Sequence, residues 1–352
     1  MSYQDGLAAI NLDMPKRVPR TEYSVEFHWE LIKRVTGFDV NSSSPAEKLT
    51  KAYQALYKAW NYDLMWGTLV YNQIFGNLRT DMGHSEYMTG GEDRRDASLC
   101  PFKTHEEALS LDPFEAYGKI NKPEWTQQFE ADYQKKKSIY PDLVNMTGVY
   151  VTCISGLVEI FGWEMLLLAA GTDSDSFGEL TNRYCSWILQ FFEALAEADV
   201  PVVMVHDDIV WSSGAIFNPK WYRKYVFPNY KKLFRPVLDS GKKLLYTSDG
   251  NYTQFVDDIA DCGVSGFALE PTTDMKYIAD KYGKTHVIIG NADTRILLTG
   301  TTEEIRSEVM RCMDIGKKCP GYFLAVGNHI PPNTPVENAL YYNRVYEELC
   351  QR

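Results

Sequence analysis

The sequence predicts a (β/α)8 barrel carrying helical decorations at its N-terminus, and three observations support that fold class. From about residue 147 onward, short runs rich in β-branched and aromatic residues alternate strictly with helix-patterned segments. Such alternation means parallel strands joined by crossovers. The runs are apolar throughout, as suits strands covered on both faces. No GxGxxG turn comes after any of them, which removes the phosphate loop of the runner-up, an open doubly wound sheet.

In the first half, Ser44-Pro45-Ala46-Glu47 opens a helix, with Ser44 as the predicted N-cap, Pro45 at the first helical position and Glu47 closing a capping box. Leu49, Ala52, Leu56 and Ala59 give that helix its core face. A first strand is expected over 63–70, and Gly90 to Asp96 reads as a polar loop. Six further strands are expected over 148–154, 201–205, 243–246, 264–269, 285–289 and 321–326. Between them lie predicted helices over 175–198, 219–238, 252–260, 274–282, 302–317 and 335–349. Asn218-Pro219 marks one start, and Thr301 with Glu304 and Thr334-Pro335 with Glu337 mark two more as capping boxes. The predicted organisation is one barrel domain over 1–352, with decorations over 1–145 and regular β/α units over 146–352.

Composition narrows the function. The 352 residues carry 36 basic and 47 acidic side chains, a formal charge of −11, which argues against a nucleic-acid groove or an anionic membrane surface. No apolar run reaches the roughly 18 residues of a membrane span. Seven cysteines, an odd number with no CxxC, fit a reducing cytoplasm better than a stapled secreted scaffold.

The residues just beyond each strand are the most informative feature. His206-Asp207-Asp208, Thr247-Ser248-Asp249-Gly250-Asn251, Glu270-Pro271, Gly290-Asn291-Ala292-Asp293 and Gly327-Asn328-His329 close five consecutive strands. In a parallel barrel these ends converge on one mouth, where the chemistry of the fold sits. Each has a bland reading: an Asp or Asn there also serves as the N-cap of the next helix. Asp207 and Asp208 run on into Ile209-Val210-Trp211, so capping explains them less well. His206 reads as a partner that neutralises one of them or as a functional group, and His329 as a ligand, an acid–base group or a turn histidine. Arg20 reads by default as a surface arginine. A catalytic zinc takes three protein ligands and keeps an open position. His329, Asp249 and Glu270 offer one such set, and His206 with a carboxylate offers another; no HExxH or HxH spacing selects between them.

The stretches 203–219, Ser248-Asp249-Gly250-Asn251, Gly290-Asn291-Ala292-Asp293, 297–306 and Pro331-Pro332-Asn333-Thr334-Pro335-x-Glu337-Asn338 carry a resemblance. Together they resemble the uroporphyrinogen decarboxylase superfamily, in particular its corrinoid-dependent methyltransferase branch, with weaker likeness at 15–21 and 100–118. The resemblance implies a (β/α)8 barrel, in agreement with the strand pattern. Two departures bear on the activity it implies. The decarboxylases carry an Arg-rich segment near the N-terminus that grips propionates, where this chain offers only Arg17 and Arg20. The thiol-methylating members carry His-x-Cys-Gly and a later Gly-Cys as zinc ligands, where this chain has Thr247-Ser248-Asp249-Gly250 and Gly327-Asn328-His329.

The resemblance therefore implies the methyl-donor side of the branch. The expected activity takes a methyl group from a small methylated substrate, foremost a methoxylated aromatic, to the cobalt of a separate corrinoid protein. The expected site is His206, Asp207, Asp249, Glu270, Asn291 and His329, with Asp249, Glu270 and His329 as zinc ligands. The alternatives are a decarboxylase of a porphyrinogen-like substrate, a methyltransferase running from methylcorrinoid to an acceptor, and a non-catalytic member that only docks the corrinoid protein.

Overall fold

The computed structural model describes residues 2–83, 86–87, 93–94 and 99–352, with the backbone alone at 86–87 and 93–94. The polar loop expected over 90–96 lies outside the described residues except at 93 and 94, where Asp93–Arg94 pairs antiparallel with Glu86–Tyr87.

Parallel strands form the centre. They are β1 (Leu64–Met65), β2 (Val144–Asn145), β3 (Thr147–Val149), β4 (Val202–His206), β5 (Lys243–Thr247), β6 (Gly266–Ala268), β7 (Val287–Ile289) and β8 (Tyr322–Phe323). β1 pairs with β2, and β3 to β8 form one six-stranded sheet in chain order. β2 and β3 are two halves of one stave, one bonded to each neighbour. The ring closes through the segment around Arg20, whose backbone bridges Tyr62 on one side and Leu324 on the other, both parallel. With that segment the barrel has its eight staves, and the predicted fold class holds.

Alternation along the strands fills the interior. Leu64, Val144, Met146, Val202, Met204, Leu245, Ala268, Val287, Ile289, Phe323 and Ala325 make one buried cluster. Ala9 and Ile10 of helix α1 (Tyr3–Ile10) join it and plug the end where the strands begin. Tyr23 and Trp66 pack on the same cluster. The outer layer contains the predicted helices, with 252–260 a 3-10 turn followed by a short helix, Val256–Ala260, and with a further helix, Thr294–Thr299, that the sequence pattern does not predict. The helix expected over 219–238 is two, Pro219–Tyr225 and α4 (Phe227–Asp239). Pro228, which has no N–H to give, sits at the break. Of the predicted caps, Asn218 accepts from Lys220 N at 2.9 Å and Thr301–Glu304 forms a full capping box. Ser44 and Thr334 do not cap: the helices begin at Ala46 and at Val336 (α5, Val336–Leu349), and Ser44 Oγ accepts instead from Asn41 N.

Two outer helices come after β3, of which the sequence pattern predicts only the second. The first, α2 (Ile154–Thr172), is broken at Gly162, where φ is +70°, and is long and apolar enough to cross a membrane by length and composition alone, against the expectation that no run is. Buried residues make up 67% of its most apolar window, which marks a core helix. α3 (Ser174–Glu197) packs along it, held close at Gly156: a Cβ there would lie 1.9 Å from Tyr184 Oη, which donates to Val151 O at 2.6 Å.

Arg20 overturns its surface reading. Its guanidinium is fully buried beneath α5, 4.5 Å from the ring centroid of Trp60, 4.9 Å from that of Tyr342 and 5.0 Å from that of Tyr346. It pairs with Glu22 at 2.9 Å and donates to Asn343 Oδ1. Glu22 in turn accepts from Val326 N at 2.8 Å and from Tyr342 Oη at 3.0 Å. Removing one member of such a pair leaves a buried charge unpaired. Arg20→Met is expected to lower the unfolding free energy by about 3–5 kcal/mol. Arg20→Met combined with Glu22→Leu should recover much of that loss, as read by urea denaturation of the two variants.

Candidate functional site

The pleat that fills the barrel also builds the site. Val202 and Met204 face inward, so the next inward positions on β4 and beyond are His206 and Asp208. In β5 the inward series continues from Leu245 through Thr247 to Asp249, and after β6 from Ala268 to Glu270. His206 Nε2 lies 3.0 Å from Asp208 Oδ1, which also accepts from Asp249 N at 3.0 Å. One ligand atom from each of His206, Asp208 and Asp249 lies within 4.8 Å of the others. His206 is itself held by the ring of Tyr150, stacked at 3.8 Å and 11°, and its Nδ1 is 3.3 Å from Tyr150 O.

These three residues suit a divalent cation. A tetrahedral zinc with bonds of about 2.0–2.1 Å separates its ligand atoms by roughly 3.3 Å, close to the spacing between His206 and Asp208. With Nδ1 against a carbonyl, the imidazole keeps its proton there and presents the Nε2 lone pair to the cluster. Among the described residues this is the group whose His, Cys and carboxylate atoms converge.

The other expected site residues fall elsewhere. Asp207 is out of phase with the pleat and points into the helix layer. It is fully buried and accepts from Ser155 N at 2.6 Å, Cys153 N at 3.3 Å and Tyr230 Oη at 2.5 Å. Burial pushes its carboxyl up to about 6, with the Tyr230 and Ser155 hydrogen bonds opposing. Glu270 accepts from Gly250 N at 2.8 Å and from Asn328 Nδ2 at 2.7 Å. Asn328 Oδ1 then meets His329 Nδ1 at 2.7 Å, so Glu270, Asn328 and His329 form a line of hydrogen bonds beside the cluster. Of the expected zinc set, Asp249 alone lies in the convergent group. Asn291 comes after Gly290, whose φ of +128° takes the chain out of the strand's pleat. Its side chain donates to Glu270 O and Thr273 O and accepts from Arg311, which ties it into the barrel wall.

Gly250 is a position where only glycine fits. Its φ is +81°, and a Cβ would come 2.6 Å from the backbone of Trp211, in the small hairpin just after Asp208. Tyr23 and Trp66, which sequence reasoning does not single out, stack at 4.3 Å and 18°. Burial holds the Tyr23 phenol well above its ordinary range, opposed by a hydrogen bond with Thr247 and reinforced by Asp249 and Glu270, so this pair borders the cluster. Asp208 is legible as the next inward residue after His206. Tyr23 carries no signal, because its stave has no strand pattern.

The sequence model of the family described as Uroporphyrinogen decarboxylase (URO-D) matches residues 137–348. Two curated relatives are uroporphyrinogen decarboxylases. That of Syntrophotalea carbinolica is 28% identical over 177 residues, 50% of each chain. That of Geobacter sulfurreducens is 24% identical over 213 residues, 60% of this chain and 61% of its own. The chain thus spans about half the length of the curated relatives it matches. Among solved structures, a methyltransferase from Methanosarcina mazei superposes with a TM-score of 0.64 at 18% identity, covering 98% of both chains, a likeness of fold.

The convergent geometry is open to direct test. The purified chain is expected to take up one added Zn2+, and His206→Ala or Asp249→Ala to lose it while Glu270→Gln and His329→Ala retain it, as read by equilibrium dialysis. Asp207→Asn keeps the acceptor for the backbone amides and should cost under about 1 kcal/mol. Asp207→Ala strands three donors and should cost about 3 kcal/mol in chemical denaturation.

Proposed function

The chain belongs to the uroporphyrinogen decarboxylase (URO-D) family, and on that footing we propose that it is a methyltransferase. It moves a methyl group from a small methylated substrate to the cobalt of a separate corrinoid protein seated over the barrel mouth. The observation that carries the reading is the convergence of His206, Asp208 and Asp249 beside the stacked Tyr23 and Trp66. A polar electrophilic corner against an aromatic wall suits a methoxylated aromatic. The ring lies on the wall and the ether oxygen reaches the corner.

The chemistry explains why such a corner is needed. A methyl ether carbon is a poor electrophile because its oxygen leaves as a basic alkoxide or phenoxide. His206, Asp208 and Asp249 would hold a zinc ion, which would supply Lewis acidity for such a leaving oxygen. The nucleophile is the partner's reduced cobalt, so the chain needs no nucleophilic Ser or Cys. Its own residues bind and orient. Tyr150 and its carbonyl fix the His206 ring, Gly250 N positions Glu270, and Asn328 ties Glu270 to His329. Tyr23 and Trp66 exclude water from one side and align the substrate, and in-line placement of the methyl group is the chief gain in rate.

The decarboxylase reading is favoured by the curated relatives. Against it, Arg17 and Arg20 do not reach toward carboxylates in the mouth: Arg17 is paired with Asp63 at 2.5 Å and Arg20 with Glu22. All seven cysteines are free thiols, which suits the reducing cytoplasm where a low-valent corrinoid works.

Mixed with a reduced corrinoid protein and a panel of methoxylated aromatics, the chain is expected to produce the methyl-cobalt absorption spectrum. Glu270→Gln and His206→Ala should each slow that appearance by at least about a hundredfold. Carbon dioxide release from a porphyrinogen, with no methyl-cobalt from any donor, would show the decarboxylase instead. Loss of methyl-cobalt only when a thiol acceptor is added would show the reverse direction.

A further inference from the structure

One residue outside the cluster contacts every residue of the His206-Asp207-Asp208 run, one of them through its backbone and two through its hydroxyl. Ser155 lies in the first turn of α2 and is 1% exposed. Its backbone N donates to Asp207 Oδ1 at 2.6 Å, its Oγ accepts from Asp208 N at 2.7 Å, and the same Oγ lies 3.4 Å from His206 Nδ1. We propose that Ser155 is the positioning residue of the metal site formed by His206, Asp208 and Asp249. The inference rests on the metal reading given under the proposed function and deepens it by assigning what holds the ligands in place.

Two degrees of freedom must be fixed for these side chains to converge on one ion. A histidine ligand binds through Nε2 only when its proton sits on Nδ1, and a metal site keeps that tautomer by offering Nδ1 an acceptor. Here Nδ1 has two acceptors on the same side, Tyr150 O at 3.3 Å and Ser155 Oγ. The second freedom is the backbone just beyond the strand. β4 ends at His206, and the chain continues at Asp207, whose N donates to Thr247 O at 3.0 Å. At Asp208 the ladder no longer sets the backbone, and its N–H goes to the Ser155 hydroxyl instead. That bond fixes the direction in which the Asp208 carboxylate leaves the backbone, toward His206 Nε2 and Asp249 N. Loss of the hydroxyl in Ser155→Ala frees the Asp208 N–H and removes one of the two Nδ1 acceptors, while Tyr150 O and the backbone bond from Ser155 to Asp207 remain.

The test measures metal affinity. Ser155→Ala should bind Zn2+ about 10- to 100-fold more weakly than the unchanged chain in competition with a chromophoric chelator. Its Co2+-loaded form should show a changed d–d absorption band. Ser155→Thr, which keeps the hydroxyl, should restore most of the affinity. Cys153→Ala provides the control for general loosening of the same turn, because the Cys153 thiol meets Cys185 Sγ at 3.3 Å and its backbone N bonds to Asp207 whatever its side chain. Its Zn2+ affinity should be unchanged. Equal affinity in Ser155→Ala and the unchanged chain overturns the inference alone, as does an equal loss in Cys153→Ala. Failure of the unchanged chain to bind Zn2+ overturns the metal reading and takes this inference with it. The comparison of Ser155→Ala with Cys153→Ala decides the matter even where Ser155→Thr does not fold.

Discussion

A parallel barrel is continuous only if its first and last staves meet, and in this chain the meeting rests on a buried ion pair. The segment around Arg20 sits between Tyr62 and Leu324, and its pleat turns Thr21 and Tyr23 inward and Arg20 and Glu22 outward. On the outside, Arg20 lies among three aromatic rings, and Glu22 accepts from both Arg20 and the backbone at Val326. One carboxylate therefore joins the N-terminal stave, the far end of the last strand and, through Tyr342, the C-terminal helix. Taking two charges out of water is expensive, and the return here is geometric: the pair sets which residues of the stave face the axis. A shift of one residue would turn Tyr23 out of the barrel.

The same alternation decides the site. Beyond β4 the inward positions are 206 and 208, and 207 is outward, so adjacent carboxylates in one tripeptide take different work. Asp208 joins His206 and Asp249, whereas Asp207 secures the start of α2 through the backbone of Cys153 and Ser155. Burial raises the Asp207 carboxyl to about 6, opposed by its hydrogen bonds and by the neighbouring His206, while three donated hydrogen bonds make it useful as an anchor. Two carboxylates close to one another would repel if both were ionised and unpaired. A divalent cation or a proton relieves that repulsion, and the His206 Nε2 beside them suits the cation.

The strands from 201 onward are legible in the sequence because they are short apolar runs bounded by helix signals, and the mouth is legible because polar residues cluster where such runs end. Apolar runs and helix signals do not by themselves weigh phase. Val202, Met204, His206 and Asp208 form one period-two series, which favours Asp208 over Asp207; Asn291 fails the same test because Gly290 breaks the series. Other features carry no local signal at all. The first stave reads Val-Pro-Arg-Thr-Glu, with a proline and two charges, and it is a strand only because both neighbours bond to it. The metal set offered by His329, Asp249 and Glu270 treats side chains as available, whereas Glu270 has hydrogen bonds to Gly250 N and Asn328.

The site draws on residues both inside and outside the family match. His206, Asp208, Asp249, Glu270 and His329 all lie within residues 137–348, which match the family. Tyr23 and Trp66 lie before that match, on the first stave and just beyond β1. The polar half of the mouth therefore lies within the family match, and the aromatic half in the residues before it. Polar groups that bind an oxygen serve many substrates, because an ether, a hydroxyl and a carboxylate all present lone pairs at similar distances. An aromatic wall is more selective, since stacking rewards a flat ring at a fixed height and gives little to a chain or a macrocycle that cannot approach it. On the proposed function, selectivity among methyl donors resides in Tyr23 and Trp66, and the placement of Tyr23 depends on the register that Arg20 and Glu22 impose. The buried pair on the outside of the barrel and the choice of substrate inside it are thus two consequences of one strand.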